Sequence, residues 1–394
     1  MWARIQLWCM RGLAALISIF VASGFAAAAG NPHYLVTNDD VPAFFPTSVT
    51  FYTVGTGGTL TLKQQVLTGG SGINGGFFGA NRVVVLDNAT AQCVYASEAS
   101  NSDIVGIVVS TLQVGGSAVG STGDTGLSNG IGMAVNAQYL YASFSDSNTI
   151  GTFQIQPGCT LTFVNDVSVS GLQGGIVDAM AIHGNMLIAT YGDGSIESFD
   201  ISNGTPVSNG DKQNSTGYIR AQGSSYPTGV DITKDGHFAL FGDTSTSDTV
   251  EVSDISSGKL TKPVVYNLGA AIGSSNLMLS PDETLLYVSN TQGDVITAAF
   301  FDAKTGKLTT GCASGKLKGY VASWSYLASM ALDSATGTGG VVYIAEFGTA
   351  SSVAMIQVTS SAGKCTLTEM PKSPVSDIFS TGLLSIGTFP PRSF

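Results

Sequence analysis

Apolar and polar positions along this chain fall into short β-like runs separated by turns rich in Gly, Asn and Asp. The stretch "LLYVSNTQGDVITAAFFDAKTGKLTTG" (Leu285–Gly311) shows the pattern clearly: two such runs around a polar turn, then Lys-Leu-Thr after a glycine. Its Leu-Tyr-Val-Ser-Asn segment, residues 286–290, has six relatives: "YLVTN" (34–38), "VYASE" (94–98), "LYASF" (140–144), "LIATY" (187–191), "ALFGD" (239–243) and "VYIAE" (342–346). In chain order the last residues of the seven copies lie 60, 46, 47, 52, 47 and 56 positions apart. A period of that size in strand-like sequence marks a propeller or another repeat array.

A second strand follows each copy after a few turn residues, from "SVTFYTV" (48–54) through "TIGTFQI" (149–155) to "SVAMIQV" (352–358). Most copies then turn through glycine into a further strand, as in "GGTLT", "GCTLTF", "GKLTK" (258–262), "GKLTT" and "GKCTLT". Ahead of the repeated strand lies a short apolar element with small residues, such as "RVVVLD" (82–87), "DAMAIH" (178–183) or "ASMALD" (328–333), suited to a crowded position near a central axis. Each unit therefore reads as four antiparallel strands, which is one propeller blade. The first copy lacks its inner element, and a spare one, "TGLLSIG" (381–387), stands near the C-terminus. The sequence thus predicts an all-β, seven-bladed β-propeller in which 381–387 joins the blade begun by 33–54. Closing the ring removes the open sheet edges that invite aggregation. One such domain is expected over residues 30–388, with a short tail at 389–394; its core is a ring of blade-to-blade contacts, so its length is no obstacle.

The first 29 residues stand apart. Arg4 and Arg11 precede an apolar stretch, Leu13–Val21, and "SGFAAAAG" then supplies small residues in an Ala-x-Ala arrangement. That is the layout of a cleaved secretory signal, the alternative being an uncleaved anchor helix. The mature protein is accordingly expected to be secreted or periplasmic, soluble, monomeric and free of the membrane. Removing the segment takes Arg4 and Arg11 from the 16 basic residues and none of the 27 acidic ones, which leaves a net charge of −13. So acidic a chain is not suited to nucleic acid or anionic lipid, which need basic surface. The mature chain retains Cys93, Cys159, Cys312 and Cys365. An even number in an exported protein favours two disulfides, for which three pairings exist, and none of the spacings suits a thiolate zinc site.

The phrases "LSPDETLLYVSNTQGDVITAAFFDAKTGKLT" (279–309) and "ITKDGHFALFGDTSTSDTVEVSDISSGKLT" (232–261) resemble the repeat of the seven-bladed lactonase family, the 6-phosphogluconolactonase-like propellers, and of the related Tyr-Val-Thr-Asn repeat proteins. The resemblance covers essentially all of the mature chain. It implies hydrolysis of a sugar lactone, or lactone-forming cyclisation, using His, Arg and Glu side chains at the central mouth. Here the sequence departs from it. His33, His183 and His237 fall at or beside turns between first and second strands, on the face away from the mouth. Arg82 and Arg220 lie on the mouth side, where two guanidinium groups could hold a carboxylate or sugar acid through paired hydrogen bonds; each is otherwise a surface cation. Arg392 sits in the tail.

Acidic residues also gather after the repeated strands: Asp39, Asp40, Glu98, Asp103, Asp146, Asp193, Asp243, Asp248, Asp294 and Glu346. They are spread over the blades without an Asp-x-Asp-x-Asp-Gly loop, so no metal is expected, and such turns favour Asp in any case. Tyr226, Trp324 and Tyr326 are candidate stacking residues for a sugar, or else plugs of the central channel. No nucleophile elbow, zinc-protease motif, phosphate loop or dinucleotide fingerprint occurs in a fitting context, so no cofactor is expected. Repeat position makes Cys312–Cys365 a neighbour pair and leaves Cys93 with Cys159.

Two readings follow. In the first, the rigid disk is a scaffold that offers its loop face to a small-molecule or protein ligand, in keeping with the scarcity of His and Arg. In the second, a lactone-ring hydrolase orients its substrate with Arg82 and Arg220 and uses Asp178 or Glu98 as base. Asp178 opens the inner strand "DAMAIH" and could face the axis.

Overall fold

Each of the seven repeated pentapeptides becomes the second strand of a four-stranded antiparallel sheet. The computed structural model describes residues 32–39, 46–71, 82–98, 101–119, 132–215, 229–243, 249–269, 274–290, 295–319, 326–333, 340–347, 351–361, 363–379 and 385–391. Blade two is typical, with Val83–Asp87, Gln92–Glu98, Asp103–Val108 and Gln113–Val119 in spatial order from the axis outward. Blade one is assembled from both ends of the propeller: Ser385–Phe389 lies innermost, against Tyr34–Asp39, followed by Pro46–Val54 and Leu60–Ser71. The expected closure is therefore present. Its strand reaches to Phe389, two residues beyond the expected 387, and Phe389 is 1% exposed rather than part of a tail.

The chain makes these strands because most of their residues are buried on both faces. Leu285–Asn290, for example, is buried at all six positions. Sheets covered on both sides read as continuous apolar runs rather than alternating ones. The core is correspondingly divided into seven clusters, one between each pair of neighbouring blades. The cluster closing the ring joins Leu35, Tyr52 and Ile386 of blade one to Val341, Tyr343 and Met355 of blade seven.

Three inner strands carry a bulge at the same place. The register skips Asp178 in blade four, Ser275 in blade six and Ala328 in blade seven. In the first two, a hydroxyl of the repeated strand takes the freed amide: Ala179 N–H donates to Thr190 Oγ1 (3.2 Å) and Asn276 N–H to Ser289 Oγ (3.1 Å). That accounts physically for Thr190 and Ser289 in the repeat, since a buried amide without an acceptor is costly.

In blades one, four and six a glycine of the outer hairpin packs against the preceding blade. A Cβ on Gly58 of blade one would lie 2.4 Å from Val341 Cγ2, and the Tyr343 hydroxyl donates to Gly58 O at 2.9 Å. Both disulfides are staples between neighbours: Cys93–Cys159 joins blade two to blade three, and Cys312–Cys365 joins blade six to blade seven. These are the pairs the repeat positions indicated.

Two outer edges depart from the sequence reading. In blade five the outer strand is Val264–Asn267, not residues 258–262. Pro263 precedes it, and a residue without an N–H is tolerated just ahead of an edge strand. In blade four the outer strand is split into Val207–Ser208 and Gln213–Asn214.

Candidate functional site

The ends of the second strands, with the crossovers that lead from one blade to the next, form the mouth side. Most of the described acidic side chains there are drawn into the wall, whereas Asp146, after the repeated strand of blade three, is exposed. Glu98 is 3% exposed; its Oε1 accepts from Thr47 Oγ1 (2.9 Å) and from Gly70 N–H (3.2 Å) at the end of the outer strand of blade one. A Cβ on Gly70 would fall 1.6 Å from Glu98 Oε2, so only glycine fits. Glu346 repeats the arrangement in blade seven, where it accepts from Ser352 Oγ at 3.0 Å and lies 2.0 Å from the Cβ that Gly319 lacks. Burial, reinforced by the charge of Glu98, pushes the Asp103 carboxyl up to about 6.

At the closure the glycine is replaced by a second acid. Asp39 is fully buried and accepts from Thr37 Oγ1 (2.7 Å), Ser48 Oγ (2.5 Å) and Thr50 Oγ1 (2.6 Å). Asp377, from the crossover out of blade seven, accepts from the same Thr37 hydroxyl at 3.0 Å. Burial and then the Asp377 charge push the Asp39 carboxyl up to about 8, against the three hydroxyl donors.

Blade four holds the most unusual group. Asp178 occupies the bulge of the inner strand, is 1% exposed, and its Oδ2 has no hydrogen-bond partner among the described residues. Complete burial, helped by the nearby Asp193 charge, drives its carboxyl well above the ordinary carboxylate range. Partial burial works to raise Asp193 as well. Donors outweigh it and hold that carboxyl below the ordinary value: Ser195 N–H (3.0 Å), Ser195 Oγ (2.5 Å), Gln173 N–H (2.6 Å) and Gly175 N–H (3.1 Å). The two environments push the carboxyls of Asp178 and Asp193 in opposite directions.

Arg82 does precede an inner strand on this side, but it is only 4% exposed, and its carbonyl accepts from Asn38 Nδ2 at 3.2 Å. Tyr326 opens the inner strand of blade seven. Arg220, Tyr226 and Trp324 lie outside the described residues, as do Asp40, Asp248, Asp294 and Arg392. The histidines sit at the opposite face as expected: His183 Nε2 is 2.8 Å from Lys234 O, and His237 Nδ1 is 3.1 Å from Asp235. Among the described residues no three His, Cys, Asp or Glu side chains converge as a metal site would require. Asp377 escaped sequence reading because "VSDIF" lies outside the repeat. The signal for the glycine partners was the "TGG" ending at Gly70, just before a crossover.

A family model described as "Lactonase, 7-bladed beta-propeller" matches residues 93–374, more than half of the chain. The chain belongs to this lactonase family. None of the curated proteins matches it. Among solved structures, a functionally unknown protein from Desulfotomaculum acetoxidans is similar over 90% of this chain and 98% of its own, at 14% identity and a TM-score of 0.61. A Bacteroides fragilis protein provisionally assigned as a 6-phosphogluconolactonase is 17% identical over 71% of this chain and 79% of its own, with a TM-score of 0.54. Hydrazine synthase of Kuenenia stuttgartiensis aligns at 17% identity over 72% of this chain and 77% of its own, at 0.52. Likenesses this distant share the lactonase-type propeller fold and carry no activity across.

Proposed function

We propose that this protein is an exported propeller whose mouth face holds a small-molecule or protein ligand. The observation that carries this reading is the use made of the acidic side chains: Asp39, Glu98, Asp193 and Glu346 bind backbone and hydroxyl donors within the wall. A catalytic base must reach its substrate proton, and these four are engaged in shaping the crossovers instead. The leading apolar segment and the two disulfides support export, and no described helix is long and apolar enough to cross a membrane.

Lactone hydrolysis is the second reading, favoured by the family and by Asp178 beside Asp193. In ring opening, water adds to the carbonyl carbon, the ring C–O bond breaks, and a proton must reach the departing oxygen. A neutral carboxyl supplies that proton and an anionic one can take the proton of water.

One experiment separates the readings: turnover of a panel of sugar and aliphatic lactones by the mature protein and by Asp178→Asn, which keeps the shape of the neutral acid. Absence of turnover in a folded protein supports the scaffold. Turnover that disappears in the variant overturns it in favour of the enzyme.

A further inference from the structure

The split outer edge of blade four opens a cavity of about 600 Å³ between blades three and four, on the rim rather than at the axis. Val207–Ser208 pairs with Phe199 and Asp200, and Gln213–Asn214 with Ser195 and Ile196. On their outer side Glu197 and Ser198 are thereby left without an opposing strand, while Ala189 and Ile188 pair with them on the inner side. Ser198 turns to Asp211, donating from N–H (3.0 Å) and Oγ (2.5 Å). Glu197 faces the cavity. Its carboxylate is bound by the Tyr191 hydroxyl (2.6 Å), Ser208 Oγ (2.6 Å) and Lys212 Nζ (3.0 Å). Lys212 also donates to Ser170 O at 2.5 Å and lies 5.4 Å from the Tyr191 ring centroid.

Folding alone does not call for this ion pair. The third residue of the third strand is Glu197 here and Glu251 in blade five, but Val105 in blade two and Ala354 in blade seven, so an acid is not needed there for a blade to form. Apolar groups fill such positions without the desolvation that an ion pair must recover. The rest of the lining comprises Ser147, Asn148, Ser168, Ser170 and Ser208, with Phe199, Val167 and Val169 as its apolar part. The volume falls within the range of about 300–1,000 Å³ found for small-molecule sites.

We propose that this cavity binds a neutral, polyhydroxylated ligand, a saccharide of one or two rings. An anion would meet Glu197, a cation would meet Lys212, and an apolar ligand would strand the hydroxyls that line the walls. Sugar hydroxyls both donate and accept, which is what serine hydroxyls, an asparagine amide and a compensated ion pair can satisfy together.

The test is calorimetric titration of the whole mature protein with maltose, cellobiose and N,N′-diacetylchitobiose, and with gluconate as the charged comparison. Saturable binding of at least one neutral disaccharide is expected. Ser168→Trp, which fills the cavity from an exposed position, and Lys212→Met should each weaken it by about tenfold or more. Melting of Ser168→Trp should match the parent. The proposal is overturned if no disaccharide saturates at about 10 mM, a range that captures any millimolar Kd. Gluconate binding more tightly, or binding indifferent to Ser168→Trp, also overturns it. None of these outcomes depends on the mouth, so they are independent of the lactone panel.

Discussion

Asp39 and Asp377 meet across the closure of the ring, with the hydroxyl of Thr37 2.7 Å from one carboxylate and 3.0 Å from the other. In blades two and seven an acid one position earlier in the repeat meets a glycine instead, as Glu98 with Gly70 and Glu346 with Gly319. Burial and the facing Asp377 charge make the Asp39 carboxyl harder to ionise.

That relationship makes stability depend on pH in a defined direction. The Asp39 carboxyl is raised to about 8 in the folded protein from an ordinary value of 3.8. Over that interval the native state binds more protons than the unfolded chain, so stability is greatest below the lower value and falls as pH rises toward the upper. Asp178, raised by burial, contributes in the same sense. The melting temperature of the parent should therefore drop between about pH 5 and pH 8 more steeply than that of Asp39→Asn. Parallel curves would refute the raised Asp39 carboxyl.

Gly106 tests how closely the blades approach. A Cβ there would lie 1.9 Å from the carbonyl oxygen of Cys159, backbone of the next blade held by a disulfide. Gly106→Ala should lose about 1–3 kcal/mol in denaturant unfolding, as overpacking does. Gly57 has φ +72 and open space around its missing Cβ. Alanine there should cost only the left-handed backbone, about 1–2 kcal/mol.

The disulfides close loops of 66 and 53 residues. Loop entropy assigns each about 4 kcal/mol. The Cys93→Ala/Cys159→Ala protein should unfold at a correspondingly lower denaturant concentration. An unchanged midpoint would mean that packing between blades two and three already supplies the constraint.

Removal of residues from Ser385 onward should cost far more than its length suggests. It strips the inner strand from blade one and exposes Leu35 and Val36, both 0% exposed in the closed ring. Binding of an apolar dye together with loss of the sharp thermal transition is the expected result.

The repeat carried most of the fold because its strands are buried on both faces, and burial is written directly as runs such as "LLYVSN". Closure was legible for the same reason: Ser385–Phe389 is an inner strand with no blade of its own in sequence order. Outer edges were harder, since a strand packed on one side is placed by its hairpin and by residues such as Pro263 rather than by its own pattern. The candidate sites were least legible. Asp178 was legible as an acid that could face the axis, but the bulge that places it in the wall has no sequence signal, and Glu197 has no motif of its own. What distinguishes each is its partners, or the lack of one, in the folded blade.

Tyr34 pairs with Phe389, so the first and last strands of the ring end side by side, roughly 5 Å apart as neighbouring strands are. A short peptide could join them, and a new start could be opened in a crossover between any two blades. Every ladder and all seven interfaces would survive such a circular permutation. The order in which this chain lists its blades is therefore a property of the gene, whereas the order in which they pack is fixed by the ring.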